Sequence, residues 1–202
     1  MELWYIRTII NKAHRLSTPD MTQTAVTTTT PDDVFYVLKV VLTRLYSTGS
    51  LTAVKRTMEQ LRNVLDEEYI DVLKKKLQDV YRNVPPGQSR NEKIDRDNRN
   101  AYITILNDLD VSSSHLERLI RDLSGNGPIN QFFMVTQQDA AKEQLASLSG
   151  LTTKFRSTVR VGVEQLFNQL ARPKLKTFIS DVYKDVSYVL DDEASLMLST
   201  TI

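Results

Sequence analysis

Apolar residues recur at helical spacing along almost the whole chain. Val34, Leu38, Val41 and Leu45 lie three or four positions apart, behind Asp32 and Asp33, where a helix N-terminus favours negative charge. This predicts a helix from Asp32 to about Thr48, with Gly49 as a left-handed cap and Ser50 placed to cap the next helix. A second stripe, Val54, Met58, Leu61, Leu65, Tyr69, Val72, Leu73, Leu77 and Val80, keeps a period near 3.6 over 51–83. Pro85-Pro86-Gly87 closes it, because proline removes a backbone donor and disfavours helix in the residue before it. Upstream, Trp4, Ile6, Ile9 and Ile10 predict an amphipathic helix over 1–16, and the Thr-rich stretch 17–31 reads as a flexible linker.

Beyond the prolines, 85–99 is charged, with Ile94 its one sizeable apolar side chain after Val84, and reads as a mobile loop that burial cannot order. Tyr102, Ile105, Leu109, Leu116, Leu119, Ile120 and Leu123 predict a helix over 101–123, with Ser112-Ser113-Ser114 marking a bend. Gly125-Asn126-Gly127-Pro128 is a stop, and 125–136 is the expected boundary between sub-bundles. Leu145, Leu148, Leu151, Phe155, Val159, Val163, Leu166 and Leu170 predict one long helix over 138–171. After Pro173, Phe178, Ile179, Val182, Val186 and Val189 predict a last helix over 175–190, before an acidic and then Ser/Thr-rich tail over 191–202. The organisation is thus a helix (1–16), a linker (17–31), a helical hairpin region (32–84), a loop (85–99), a second helical region (100–190) and a tail. No alternating run long enough for a strand and no fixed repeat is present, so the fold class is all-α, an elongated multi-helix bundle or rod.

Composition narrows the function classes. The balance of 26 basic against 25 acidic residues offers no electrostatic footprint for nucleic acid. The chain has no cysteine, hence neither disulfides nor thiolate chemistry. No apolar run approaches the roughly 20 residues that span a bilayer, and Lys39 and Arg44 interrupt the best candidate.

Residues that could carry chemistry are few. Asp32-Asp33 and Asp191-Asp192-Glu193 suggest the aspartate-rich magnesium motifs of all-helical isoprenoid synthases, which hold a diphosphate leaving group through metal ions. Position 36 is Tyr36 and position 37 is Val37, so the third carboxylate one turn on is missing, and Asp32 and Asp33 read as helix-dipole partners. His14 and His115 stand outside any metal-binding spacing. Ser112, Ser113 and Ser114 precede His115, but adjacent residues on a helix do not face one another. Gly125 and Gly127 lack a phosphate-binding context, and Lys74-Lys75-Lys76 reads as a solvated edge, with an anionic-lipid contact as the alternative. No catalytic, cofactor-binding or metal-ligating residue is assigned.

Blocks in one order, from Leu3 to Glu193, resemble a known family. They are Tyr5-Ile6-Arg7 with Asn11-Lys12-Ala13, Asp32-Asp33-Val34-Phe35-Tyr36, Leu65 to Tyr69 with Asp71-Val72-Leu73, Ile105 to Ser112, and Lys154-Phe155-Arg156 through Leu166. Together they resemble the subunit 4 family of the conserved oligomeric Golgi complex, vesicle-tethering proteins of the helical-rod class. The resemblance implies a non-enzymatic scaffold, without cofactor or metal, in intra-Golgi retrograde transport. It implies peripheral association with the cytoplasmic face of the Golgi membrane, and other complex subunits, SNARE proteins and small GTPases as partners. Family members are several times longer, so the expectation is a central fragment. The alternatives are a helical adaptor of another tethering complex and, further off, a magnesium-dependent helical enzyme.

Overall fold

The computed structural model describes residues 2–20, 26–82, 92–125 and 127–184. The chain divides into two compact units, Met1–Gly162 and Val163–Ile202. Both are helical, as the apolar periodicity predicts.

The first unit opens with α1 (Glu2–Leu16), which turns Ile6, Ile10 and Ala13 into the core. In α2 (Thr30–Ser47) Pro31 occupies the first turn, where its missing N–H costs nothing, and Asp32 and Asp33 follow it. Val34, Leu38 and Val41 are buried as their spacing predicts; Phe35, Leu42 and Tyr46 join them, while Leu45 is only half-buried. Gly49 adopts φ 64°, and the Ser50 side chain accepts a hydrogen bond from Ala53 N, opening α3 (Leu51–Val64).

The stripe expected as one continuous helix over 51–83 is interrupted by a π-helical turn, Leu65–Ile70, before α4 (Asp71–Arg82). Asp71 N–H reaches back to the Asp66 carbonyl, the i→i−5 register of a π turn. The added residue shifts the buried face so that Leu65, Tyr69, Leu73 and Leu77 carry the apolar seam, with Val64 and Ile70 buried beside it.

The next helix, α5, runs from Glu92 to Ser124. The mobile loop expected over 85–99 is therefore helical from Glu92 onward, and 83–91 lie outside the described residues. Lys93 and Asp97, and Asp95 and Arg99, stand at i, i+4, a spacing that supports helix without an apolar face. The Ser112–Ser114 run does not break α5, because Ser112 returns its hydroxyl to the Asp108 carbonyl at 2.6 Å.

Residues 125–136, expected as a boundary, lie within the first unit. There α6 (Pro128–Phe132) buries Ile129, and Phe133 sits against Tyr46 with ring centroids 6.1 Å apart, leaving Phe132 and Met134 exposed. The long helix expected over 138–171 is two: α7 (Val135–Ala146) and α8 (Ser149–Leu166). Ser147 bonds the Gln144 carbonyl, and Ser147, Ser149 and Gly150 are all weak helix formers at the break. Leu145, Leu148, Leu151 and Phe155 are buried. The backbone of α8 comes close to α5 at Gly162, where the Tyr102 hydroxyl donates to its carbonyl at 3.2 Å.

In the second unit the described residues comprise the end of α8, a π-helical turn (Phe167–Ala171) and α9 (Arg172–Lys184). Val163, Phe167, Leu175, Phe178, Ile179 and Val182 are all exposed. Val186 and Val189 of the expected stripe, and the 191–202 tail, lie outside the described residues.

The α2–α3 corner gives a test. A Cβ on Gly49 would lie 2.6 Å from the Phe132 carbonyl oxygen, on a backbone that L-residues disfavour by about 1–2 kcal/mol. Gly49→Ala should cost at least that much in urea unfolding, whereas Gly150→Ala, with nothing within 4 Å, should be neutral or slightly stabilising. Equal losses would show that Gly49 does not hold the corner.

Candidate functional site

Two features stand out: a buried polar knot between α1, α4, α5 and the first inter-helix segment, and a groove on the outer face of α1 and α2. The knot forms because Asp108 of α5 faces inward, only 2 % exposed. Thr28 N donates to its Oδ1 at 2.7 Å and the Thr28 hydroxyl to its Oδ2 at 2.8 Å. A short antiparallel ladder, Pro19 with Thr28 and Asp20 with Thr27, presents these donors. The flexible linker expected over 17–31 is thus docked where it is described, with Thr27 and Thr30 buried and Thr30 donating to the Ala13 carbonyl at 3.2 Å. Residues 21–25 lie outside the described residues. Burial pushes the Asp108 carboxyl up; the Thr28 bonds and Lys76 pull it back, while Asp32 raises it further.

Lys76 splits from its neighbours. Lys74 and Lys75 are exposed, but Lys76 is half-buried and donates to the His14 carbonyl at 3.2 Å. Burial lowers its ammonium and Asp108 raises it. The His14 imidazole stacks on Tyr69 with centroids 5.3 Å apart. Burial first, and Lys76 second, lower its pKa to about 4, against an opposing pull from the Glu68 backbone.

The other candidates separate. Ser112 is buried against Tyr69 at 2.8 Å, whereas His115 Nε2 lies 2.9 Å from Asp32 Oδ1 and its ring 5.7 Å from that of Phe35. The serine run and His115 therefore do not pair as nucleophile and base. Asp33 is exposed on the first turn of α2. Gly125 ends α5 through a bond to the Arg121 carbonyl, and Gly127 precedes α6 close against the Leu123 backbone. Asp191, Asp192 and Glu193 lie outside the described residues. Among the described residues no group of three or more His, Asp or Glu could hold a metal ion, and no helix is long and apolar enough to cross a membrane.

The groove, of about 530 Å³, runs between α1 and α2. Ile9, Ala13 and Leu16 form its α1 side and Tyr36 and Val37 its α2 side, with Lys12 on one lip and Asp33 on the other. Tyr36, 72 % exposed, borders both this groove and a smaller concavity of about 300 Å³ against α5. In that concavity Lys39 pairs with Asp122 at 2.9 Å, and His115 Nε2 lies 2.9 Å from Asp32 Oδ1, so both carboxylates are already engaged. The α1–α2 groove instead offers the exposed Leu16 and Tyr36 beside half-buried Ile9 and Val37, with Asp32 at the boundary between the two concavities. Such a surface is closer to a helix-binding site than to a reaction centre. Sequence spacing marks Tyr36 as outward-facing, since it is off the Val34–Leu38–Val41 face, but the groove needs the α1–α2 packing to exist.

Comparison with known proteins gives a consistent assignment. Residues 1–77 match the family model described as COG4 transport protein, middle alpha-helical bundle. Residues 102–198 match the model described as conserved oligomeric Golgi complex subunit 4, C-terminal. The human conserved oligomeric Golgi complex subunit 4 is 24% identical over 218 residues, covering 96% of this chain and 27% of its own length. The Drosophila melanogaster protein of that name is 23% identical, covering 80% of this chain and 23% of its own. For the Arabidopsis thaliana protein the figures are 26%, 83% and 22%. The chain thus spans about a quarter of the length of the curated relatives it matches. No solved structure matches it significantly.

The His14 environment sets a pH dependence. From the ordinary 6.5 down to about 4 the unfolded chain binds a proton that folded His14 does not, so stability falls as pH drops through that window. Asp108, raised by burial, works in the opposite direction, since acid relieves its buried charge. His14→Asn should remove the first contribution, on the order of 2 kcal/mol after allowing for part exposure of the ring. Thermal melts of parent and variant at pH 6.5 and 4 should therefore show a smaller acid loss in the variant; equal losses would contradict a buried neutral imidazole.

Proposed function

This chain belongs to the conserved oligomeric Golgi complex subunit 4 family, and from that membership we propose that it is a helical scaffold in a Golgi vesicle-tethering complex. The observation that carries the reading is the ordered match to the family's middle and C-terminal models across a chain that is itself helical. In this reading the protein serves retrograde transport between Golgi cisternae and catalyses nothing. Packed helices hold binding surfaces at fixed separations, and joining several weak contacts on one scaffold raises the local concentration of membranes that must meet. The other subunits of the complex are its first partners, with SNARE proteins and small GTPases reached through the assembly. Association with the cytoplasmic face of the Golgi membrane is then peripheral. The groove between α1 and α2, with apolar walls and charged lips, supports a role in helix-mediated assembly.

Affinity purification of the tagged chain from its own cells tests the proposal. The other subunits of the complex should co-purify, and the tagged chain should overlie a Golgi marker by microscopy. A folded, well-expressed chain that recovers no other subunit and is absent from the Golgi would overturn it.

A further inference from the structure

Opening is not equally costly everywhere in the first unit. α1 sets Ile6, Ile10 and Ala13 in the core, whereas α2 sets Val34, Phe35, Leu38, Val41, Leu42 and Tyr46 there. The segment between them is stitched to itself and to the end of α1: Thr29 N donates to the Thr18 carbonyl at 3.0 Å, beside the Pro19–Thr28 and Asp20–Thr27 ladder. Two adjacent side chains hold it on α5. Asn107 Nδ2 donates to the Val26 carbonyl at 2.9 Å, and Asp108 accepts both Thr28 bonds. Lys76 and Thr30 reach the His14 and Ala13 carbonyls in the last turn of α1, while the Arg7–Glu68 pair is largely open to solvent and contributes little. Closure also carries a cost. The Asp108 carboxylate is removed from water, and both His14 imidazole nitrogens are buried with no well-formed hydrogen bond among the described residues. Lifting α1 hydrates both groups.

We propose that α1, with residues 18–20 and 26–29, is an arm that opens as one unit about Thr30-Pro31, and that Asn107 and Asp108 of α5 are its latch. Elements with few buried apolar side chains open below the free energy of global unfolding, and the arm combines polar bonds with a small apolar footprint. The hub of Tyr69, Ser112 and Phe155 is made by other elements and stays closed. The latch also gates a surface. Ile9, Ala13 and Leu16 are the α1 side of the α1–α2 groove, so the groove exists only while the arm is docked. A helix that binds there selects the latched state and stabilises it. This consequence for assembly rests on the scaffold role proposed above; the opening itself does not.

Native-state hydrogen exchange, read by mass spectrometry on the full 202-residue chain and corrected for intrinsic rates, is the test, with circular dichroism to confirm that each variant is helical. In the parent, amides of Ile6 to Ala13 should exchange at least about tenfold faster than those of Leu109 to Leu116. Thr28→Val, which takes one donor from Asp108, should speed exchange in α1 about tenfold further and leave 109–116 unchanged. Thr28→Ser keeps the hydroxyl and should behave as the parent, and Asn107→Ala should act in the direction of Thr28→Val. Equal protection of α1 and α5 in the parent would overturn the proposal. So would a Thr28→Val chain in which both segments speed up together, or in which neither does. These readings come from the chain alone, so they stand or fall whether or not other subunits co-purify with it.

Discussion

The hydrogen bond between the Tyr69 and Ser112 hydroxyls, 2.8 Å long and buried, ties the first unit together at the point where most of its elements meet. Because Ser112 gives its own proton to the Asp108 carbonyl, Tyr69 is the donor. Around the same ring lie His14 from α1, Phe35 from α2 and Phe155 from α8, the two phenyl rings each 6.1 Å away in edge-on geometry. Tyr69 belongs to the π turn, and the added residue there aims it along the seam that Leu65 and Leu73 continue. Lys154 fastens α8 across the same turn, bonded to Asp66 and 3.3 Å from Asp71, and these carboxylates raise its ammonium pKa. A regular helix at this place would direct one or other of these contacts away.

Asp108 extends the same logic toward the surface. A carboxylate buried without donors would cost several kcal/mol. The Thr28 backbone and hydroxyl offset part of that penalty, and in doing so they fix the start of α2 against the end of α1. The polar knot therefore acts on the groove indirectly. By docking the segment before Thr30 it sets the relation of Leu16 and Lys12 to Asp33 and Tyr36.

Helix identity was legible because burial follows spacing: Val34, Leu38, Val54, Met58, Leu61, Leu109, Leu116 and Phe155 all lie where the period places them. The departures have local causes that hydrophobic periodicity does not encode. The start of α5 rests on charged residues at i, i+4, which resemble a loop when only apolar positions are counted. The π turn adds a residue without changing composition. The docking of Thr27 to Thr30 depends on an aspartate 80 positions away, so a Thr-rich stretch reads as a linker until the helices are packed. The groove was hidden for the same reason, since it exists only once α1 and α2 are packed. Beyond Phe155, Val159, Leu166 and Leu170 of the expected stripe are half-buried, whereas Val163, Phe178, Ile179 and Val182 are exposed.

For the scaffold role proposed above, the stiffness of this hub matters more than any single surface residue. A double-mutant cycle of Tyr69→Phe and Ser112→Ala, followed by urea unfolding, measures it most directly. The account predicts a coupling energy of about 1 kcal/mol between the two hydroxyls, with each single variant less stable than the parent. Additive effects, within about 0.3 kcal/mol, would contradict it and show that the helices converge on Tyr69 without depending on that bond.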